Sequence, residues 1–106
     1  MTDRIQAIQA MLAKNPKDVF LHYSLGMEQA AGGDHAGAVE SFRRCIQLDD
    51  GYLPAYVEAG KNLRACKDYA AAREVFAAGM ELAAVQGEKH MRDFIQQLLD
   101  GLPTRT

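Results

Sequence analysis

Residues 22–48, HYSLGMEQAAGGDHAGAVESFRRCIQL, set over residues 56–82, YVEAGKNLRACKDYAAAREVFAAGMEL, decide the fold. One constant shift along the chain superimposes Gly26 on Gly60, Ala31 on Ala65, Asp34 on Asp68, Ala36 on Ala70, Ala38 on Ala72, Glu40 on Glu74, Phe42 on Phe76 and Leu48 on Leu82. A fixed period of this kind marks a stacked repeat. The matches fall on small and apolar residues, the kind that form contacts between helices. Gly26 and Gly60 lie inside helical patterns, where each glycine costs about 1 kcal/mol against alanine. A neighbouring helix passing close explains them. Ala38 and Ala72 serve that closeness from the other side, and Phe42 and Phe76 wedge one repeat against the next.

Outward from this core the whole chain reads as helix. Alanine dominates, with seventeen residues, and β-branched residues never alternate over a strand length. Turn signals at Asn15-Pro16, Gly32-Gly33-Asp34, Asp49-Asp50-Gly51, Lys67-Asp68 and Gly87 divide it into six helices. Their expected spans are about 3–14, 18–31, 35–48, 52–66, 69–84 and 88–100. Each has an apolar stripe at helical spacing, such as Ile5, Ile8, Met11 and Leu12, or Val39, Phe42 and Ile46. Asp34 and Asp68 are placed to cap the third and fifth helices, and Pro54 sits in the first turn of the fourth. Connections of two to four residues make neighbouring helices antiparallel. The fold class is all-α, a short array of helix-turn-helix repeats.

The pattern resembles the tetratricopeptide repeat (TPR) family, and the expected protein is a small bacterial member. That family's signature is an aromatic, Leu-Gly, a large residue, Ala, Phe, Ala and Pro, spread over one repeat. It reads here as His22, Leu25-Gly26, Gln29, Ala38, Phe42, Cys45 and Asp50, then Tyr56, Ala59-Gly60, Leu63, Ala72, Phe76, Gly79 and Ala84. Tryptophan is absent, Gln29 stands where tyrosine is usual, and neither repeat ends in proline. The resemblance implies a right-handed solenoid divided as an N-terminal half repeat over 1–18, repeats over 19–52 and 53–86, a capping helix over 87–100 and a frayed tail over 101–106. After Gln86 the pattern fails, because bulky Phe94 cannot occupy the close-approach site. Ile95, Leu98 and Leu99 instead make an amphipathic lid over the second repeat, the polar-backed cap that terminal repeats require.

Composition narrows the function classes. Among 106 residues, 48% are apolar and 25% charged, which is the globular average. Twelve basic against fourteen acidic residues argue against a nucleic-acid lattice or an anionic bilayer as partner. The stretch Met1 to Lys14 lacks the apolar core of a signal peptide, and no segment approaches the roughly 20 apolar residues of a membrane span. A soluble cytoplasmic protein, complete as it stands, is expected.

No arrangement here carries chemistry. Cys45 and Cys66 lack the CxxC spacing of zinc or redox sites. Cys45 replaces a small residue at a helix contact and is expected to be a buried thiol; Cys66, beside Lys67, better suits a reactive one. His22 takes the aromatic packing position, and His35 is expected to be an exposed first-turn side chain. His90 and Asp93 share a helix face, but two ligands do not make a metal site. Gly32-Gly33 has neither GxGxxG nor a following Lys-Ser. The protein is read as a non-enzyme, with no cofactor and no metal.

What remains is a surface. In proteins of this kind the first helix of each repeat lines a concave groove. The resemblance carries its ligand positions onto Phe20, Tyr23, Ser24, Met27 and Ala30, then Pro54, Val57, Glu58, Lys61 and Arg64. Three explanations fit the apolar first set: cover by the N-terminal helix, a groove for a peptide or partner helix, or self-association as a homodimer. Lys61 and Arg64 could meet a ligand carboxylate or pair with Glu58. Family members that grip acidic chaperone tails use lysine, asparagine and asparagine at the positions held here by Tyr23, Met27 and Glu58. Acidic chaperone tails are therefore not expected partners.

Overall fold

The computed structural model describes residues 3–104. Six α-helices follow one another: α1 Asp3–Lys14, α2 Val19–Ala31, α3 His35–Leu48, α4 Leu53–Ala65, α5 Tyr69–Gln86 and α6 Lys89–Asp100. Short polar side chains start three of them. Asp18, Asp34 and Asp68 accept from the amides of Leu21 (3.1 Å), Gly37 (2.9 Å) and Ala71 (3.2 Å), each satisfying a donor that a helix start would leave free. Pro54 occupies the first turn of α4, where its missing N–H removes no helical bond. The fifth helix runs beyond its expected end to Gln86. Its extension stops at Gly87, which is left-handed (φ 74°) and donates its N–H to Ala83 and Ala84. Gln86 Nε2 then reaches the Gly51 carbonyl at 2.8 Å and ties the end of α5 to the turn before α4.

Successive helices pack as neighbours into a stack measuring 38 × 29 × 19 Å. Two aromatic side chains hold the pairs together. A β-carbon built on Gly26 would lie 2.7 Å from Phe42 Cε1, and one on Gly60 would overlap the ring of Phe76. Both phenylalanines are fully enclosed, at 0% and 1% exposure. The sequence predicts a neighbouring helix backbone beside each glycine; the structure puts an aromatic ring there instead, because the nearest atoms to both positions belong to the Phe42 and Phe76 side chains.

Two apolar clusters result. Ala38, Phe42, Cys45, Ala55 and Ala59 join α3 to α4, with Tyr23 and Tyr52 packed alongside. Val57, Leu63, Phe76, Ala83, Ile95 and Leu102 belong to the second cluster, which reaches α6. Ile95 on α6 is completely buried. Beyond α6, Leu102 is buried and Arg73 Nη1 donates to the Pro103 carbonyl at 2.8 Å. An apolar residue immediately after α6 had a core to enter, which composition alone does not reveal. Residues 105 and 106 lie outside the described residues.

Candidate partner-binding face

Phe20, Tyr23, Ser24, Met27 and Ala30 follow the three-to-four spacing that puts residues on one side of a helix. The helix that carries them, α2, contacts α4 as well as its chain neighbours. Phe20 is 66% exposed and Met27 40% exposed. They lie two turns apart along the same face. Tyr23, between them, is turned into the molecule: its ring stands edge-on to Phe42 (centroids 5.5 Å) and to Tyr52 (5.4 Å). Ser24 and Ala30 are half-buried. The cover expected from the N-terminal helix is therefore absent at Phe20, and α3 and the α3–α4 turn provide the partners of Tyr23. Between α1 and α2, Arg4 pairs with Glu28 at 3.0 Å.

On α4 the predicted set divides. Val57 is buried at 5% exposure and packs into the core. Its period placed it on the inner side of the helix, but the second apolar cluster takes it in. Pro54, Lys61 and Arg64 are exposed, while Glu58 is half-buried and its carboxylate pairs with Lys61 at 3.5 Å. Burial, followed by the charge of Glu58, then Tyr52 and Cys45, pushes the Tyr23 hydroxyl above its ordinary pKa. Tyr23 and Glu58 thus feel one another across α2 and α4. Arg64 has no carboxylate partner among the described residues.

The histidines are placed differently from one another. His22 Nε2 donates to the Pro16 carbonyl at 2.8 Å. In the next repeat Tyr56 donates its hydroxyl to the Asp50 carbonyl at 2.6 Å. Two side chains of different chemistry thus tie the same turn in successive repeats. His35 is not the free first-turn side chain expected. Its Nδ1 lies 2.7 Å from Asn62 Oδ1, and Asn62 Nδ2 donates to the Glu58 carbonyl at 2.8 Å, so Oδ1 accepts and Nδ1 donates. Asn62 is 4% exposed and Ser41 7%, the latter donating to Gln29 Oε1 at 2.6 Å. Both buried polar residues escaped the sequence reading. The available signal was a polar side chain in an otherwise apolar register, which needs a hydrogen-bond partner.

The thiols also separate. Cys45 is enclosed, 3.6 Å from the Val19 carbonyl, and burial pushes its pKa up to about 11. It is a neutral packing group at physiological pH. Cys66 is exposed at the end of α4. His90 and Asp93 are both exposed, and no group of three or more His, Cys, Asp or Glu among the described residues could hold a metal. No helix there is long and apolar enough to cross a membrane.

Comparison with known proteins agrees with this architecture. The family model for the tetratricopeptide repeat matches residues 21–52. A TPR repeat-containing protein of Pseudomonas aeruginosa is 33% identical over 98 residues, covering 89% of this chain and 93% of that one. The solution structure of a protein from Bordetella parapertussis superimposes with a TM-score of 0.80 at 26% identity, over 94% of this chain and 87% of that one. The TPR2B domain of yeast Sti1, determined in a complex with pHsp70, gives a TM-score of 0.83 at 22% identity, over 90% of this chain and 76% of its own. The last likeness is one of fold.

Proposed function

The chain belongs to the tetratricopeptide repeat family, and from that premise we propose that it is a non-catalytic protein-interaction module whose concave face takes a short peptide or a partner helix. The TPR solenoid supports protein interaction in general. The finer reading rests on one observation: Phe20 and Met27 are large apolar side chains left in solvent two turns apart on one face of α2. Such side chains stay exposed at no benefit to folding, and aromatic anchors dominate binding energy when a partner covers them. Ser24, Ala30, Glu58, Lys61 and Arg64 complete the proposed contact set. Tyr23 supports the face from beneath through Phe42 and Tyr52. The repeat boundaries at 19–52 and 53–86, and a cytoplasmic setting, belong to the same reading.

The test is a pair of substitutions that spare the core. Phe20→Ser with Met27→Ser should abolish retention of a native partner in a pull-down while leaving the thermal midpoint close to that of wild type. Unchanged retention would reject the face. Replacing Tyr23 is a poor test, because its two ring contacts make it part of the packing. Self-association through the same apolar patch is distinguished by light scattering on the eluted protein; a concentration-independent monomer rejects it.

The Sti1 domain is seen with pHsp70, yet the residues of an acidic-tail clamp are missing from this chain. Tyr23, Met27 and Glu58 replace the lysine and asparagines that such a clamp needs, and Glu58 would repel a polyacidic tail. A titration with an acidic chaperone tail peptide should show no low-micromolar binding.

A further inference from the structure

Beyond Glu58, at the far end of α4, the character of the surface reverses. Lys61, Arg64, Ala65, Lys67, Tyr69 and Leu98 line a depression of about 390 Å³ where α4, the α4–α5 turn and α6 meet. Ligand pockets run from roughly 300 to 1,000 Å³, so this one suits a pair of side chains. Tyr69 and Leu98 are both packed against the buried core, which makes a firm apolar floor. The walls are cationic. Of the acids next to these cations in the sequence, Glu58 pairs with Lys61 and Asp68 caps α5. Arg64 and Lys67 have no carboxylate partner among the described residues.

The backbone adds a second observation. Lys67 has φ 63° and is the only described non-glycine residue with positive φ. Its counterpart in the preceding repeat is Gly33, at φ 87°. A left-handed conformation is unfavourable for an L-residue with a side chain, and glycine would relieve it. The turn therefore carries a lysine where the fold favours glycine, and that lysine completes the cationic wall. In the first repeat the corresponding positions, Met27, Ala30, Ala31 and Gly33, carry no charge.

We propose that this depression receives one acidic residue flanked by a bulky apolar residue in a segment of the bound partner. The carboxylate sits between Arg64 and Lys67, and the apolar side chain rests on Tyr69 and Leu98. Charge complementarity selects the acid, with the arginine fork able to bind a carboxylate through two parallel hydrogen bonds. Exposed ion pairs contribute little by themselves, so the apolar floor supplies most of the contact and the cations supply selectivity. This deepens the groove reading above and rests on it. It adds the partner's chemistry at one end of the face, away from Glu58.

The test uses two end-blocked peptides, acetyl-Gly-Ser-Leu-Glu-Phe-Gly-Ser-amide and the same peptide with Gln for Glu, titrated into the isotope-labelled full chain. Expected are amide shift changes over residues 64–69 and at Leu98, with the Glu peptide bound about threefold more tightly than the Gln peptide. In the double variant Arg64→Gln, Lys67→Gly, that preference should vanish while the Gln peptide binds as before. Glycine suits the backbone at residue 67, so the variant keeps its fold. Equal binding of the two peptides, no binding, or equal weakening of both in the variant would overturn the proposal. Shift changes confined to Phe20 and Met27 would overturn it too, while leaving the groove reading standing.

Discussion

The α2–α3 and α4–α5 pairs are built on one plan and finished differently. Both press a phenylalanine of the second helix against a glycine of the first and start that second helix with an aspartate cap. The solvent edges diverge. Met27, Ala30 and Gly33 become Lys61, Arg64 and Lys67, and His35, bonded to Asn62, gives way to Tyr69 beside Leu98. Packing between helices tolerates few shapes, so the contact residues repeat. A solvated side chain meets no such restriction, so the edges are free to acquire separate binding chemistry.

The largest test of this equivalence is removal of the wedges. Phe76→Ala and Phe42→Ala should each cost about 3–5 kcal/mol in urea unfolding. Similar losses would show the pairs to be interchangeable in energy as well as geometry, and a loss below about 1 kcal/mol at either would break the comparison.

A second difference lies at Cys45, which corresponds to Gly79 in the next repeat. Burial pushes the folded thiol up to about 11 from an ordinary 9.0. A neutral form favoured by folding contributes stability that is complete below pH 9 and is lost as pH rises toward 11. The loss should reach roughly 2–3 kcal/mol. Unfolding free energies measured across that window should fall less steeply in Cys45→Ala. Some slope will remain, because Tyr23 and Tyr56 are shifted upward as well, chiefly by burial.

Smaller still is the effect of a methyl group at the close approach. Gly60→Ala should cost about 1–3 kcal/mol by overpacking the Phe76 ring. In a Phe76→Ala background the same change should stabilise by about 1 kcal/mol, since only the gain in helix propensity remains. A change of sign between backgrounds identifies the ring as the cause; the same cost in both would reject it.

The finest comparison is at the turns. Lys67→Gly should raise stability by up to about 1 kcal/mol and Gly33→Lys should lower it by a similar amount, as the left-handed backbone demands. If both changes are neutral, Lys67 sits there without strain.

Much of the fold was legible in the chain because its signals are local or periodic. The aspartate caps, Pro54 and the turn dipeptides mark helix starts in a few residues each. The repeat register pairs Gly26 with Phe42 in kind, since a glycine inside a helix and an aromatic at constant spacing have few other uses. The candidate face was legible only in part. Helical spacing selected Phe20, Tyr23, Met27 and Val57 alike, yet exposure separates them, because spacing gives a side of a helix and says nothing of how far the next helix covers it. His35 with Asn62, Leu102 in the core and the cationic depression with Leu98 all join residues that stand far apart in the chain.

The sequence by itself determined the all-α class, the approximate helix boundaries, the repeat and the absence of any local catalytic motif, since each follows from neighbours along the chain or from a period. The tertiary structure alone decided which apolar residues of α2 remain in water, that Val57 is buried and Tyr23 half-buried against Phe42 and Tyr52, and that Arg64 and Lys67, beside Tyr69 and Leu98, have no carboxylate partner among the described residues. Exposure and charge balance are properties of what surrounds a side chain in space, and several helices must be in place before either has a value.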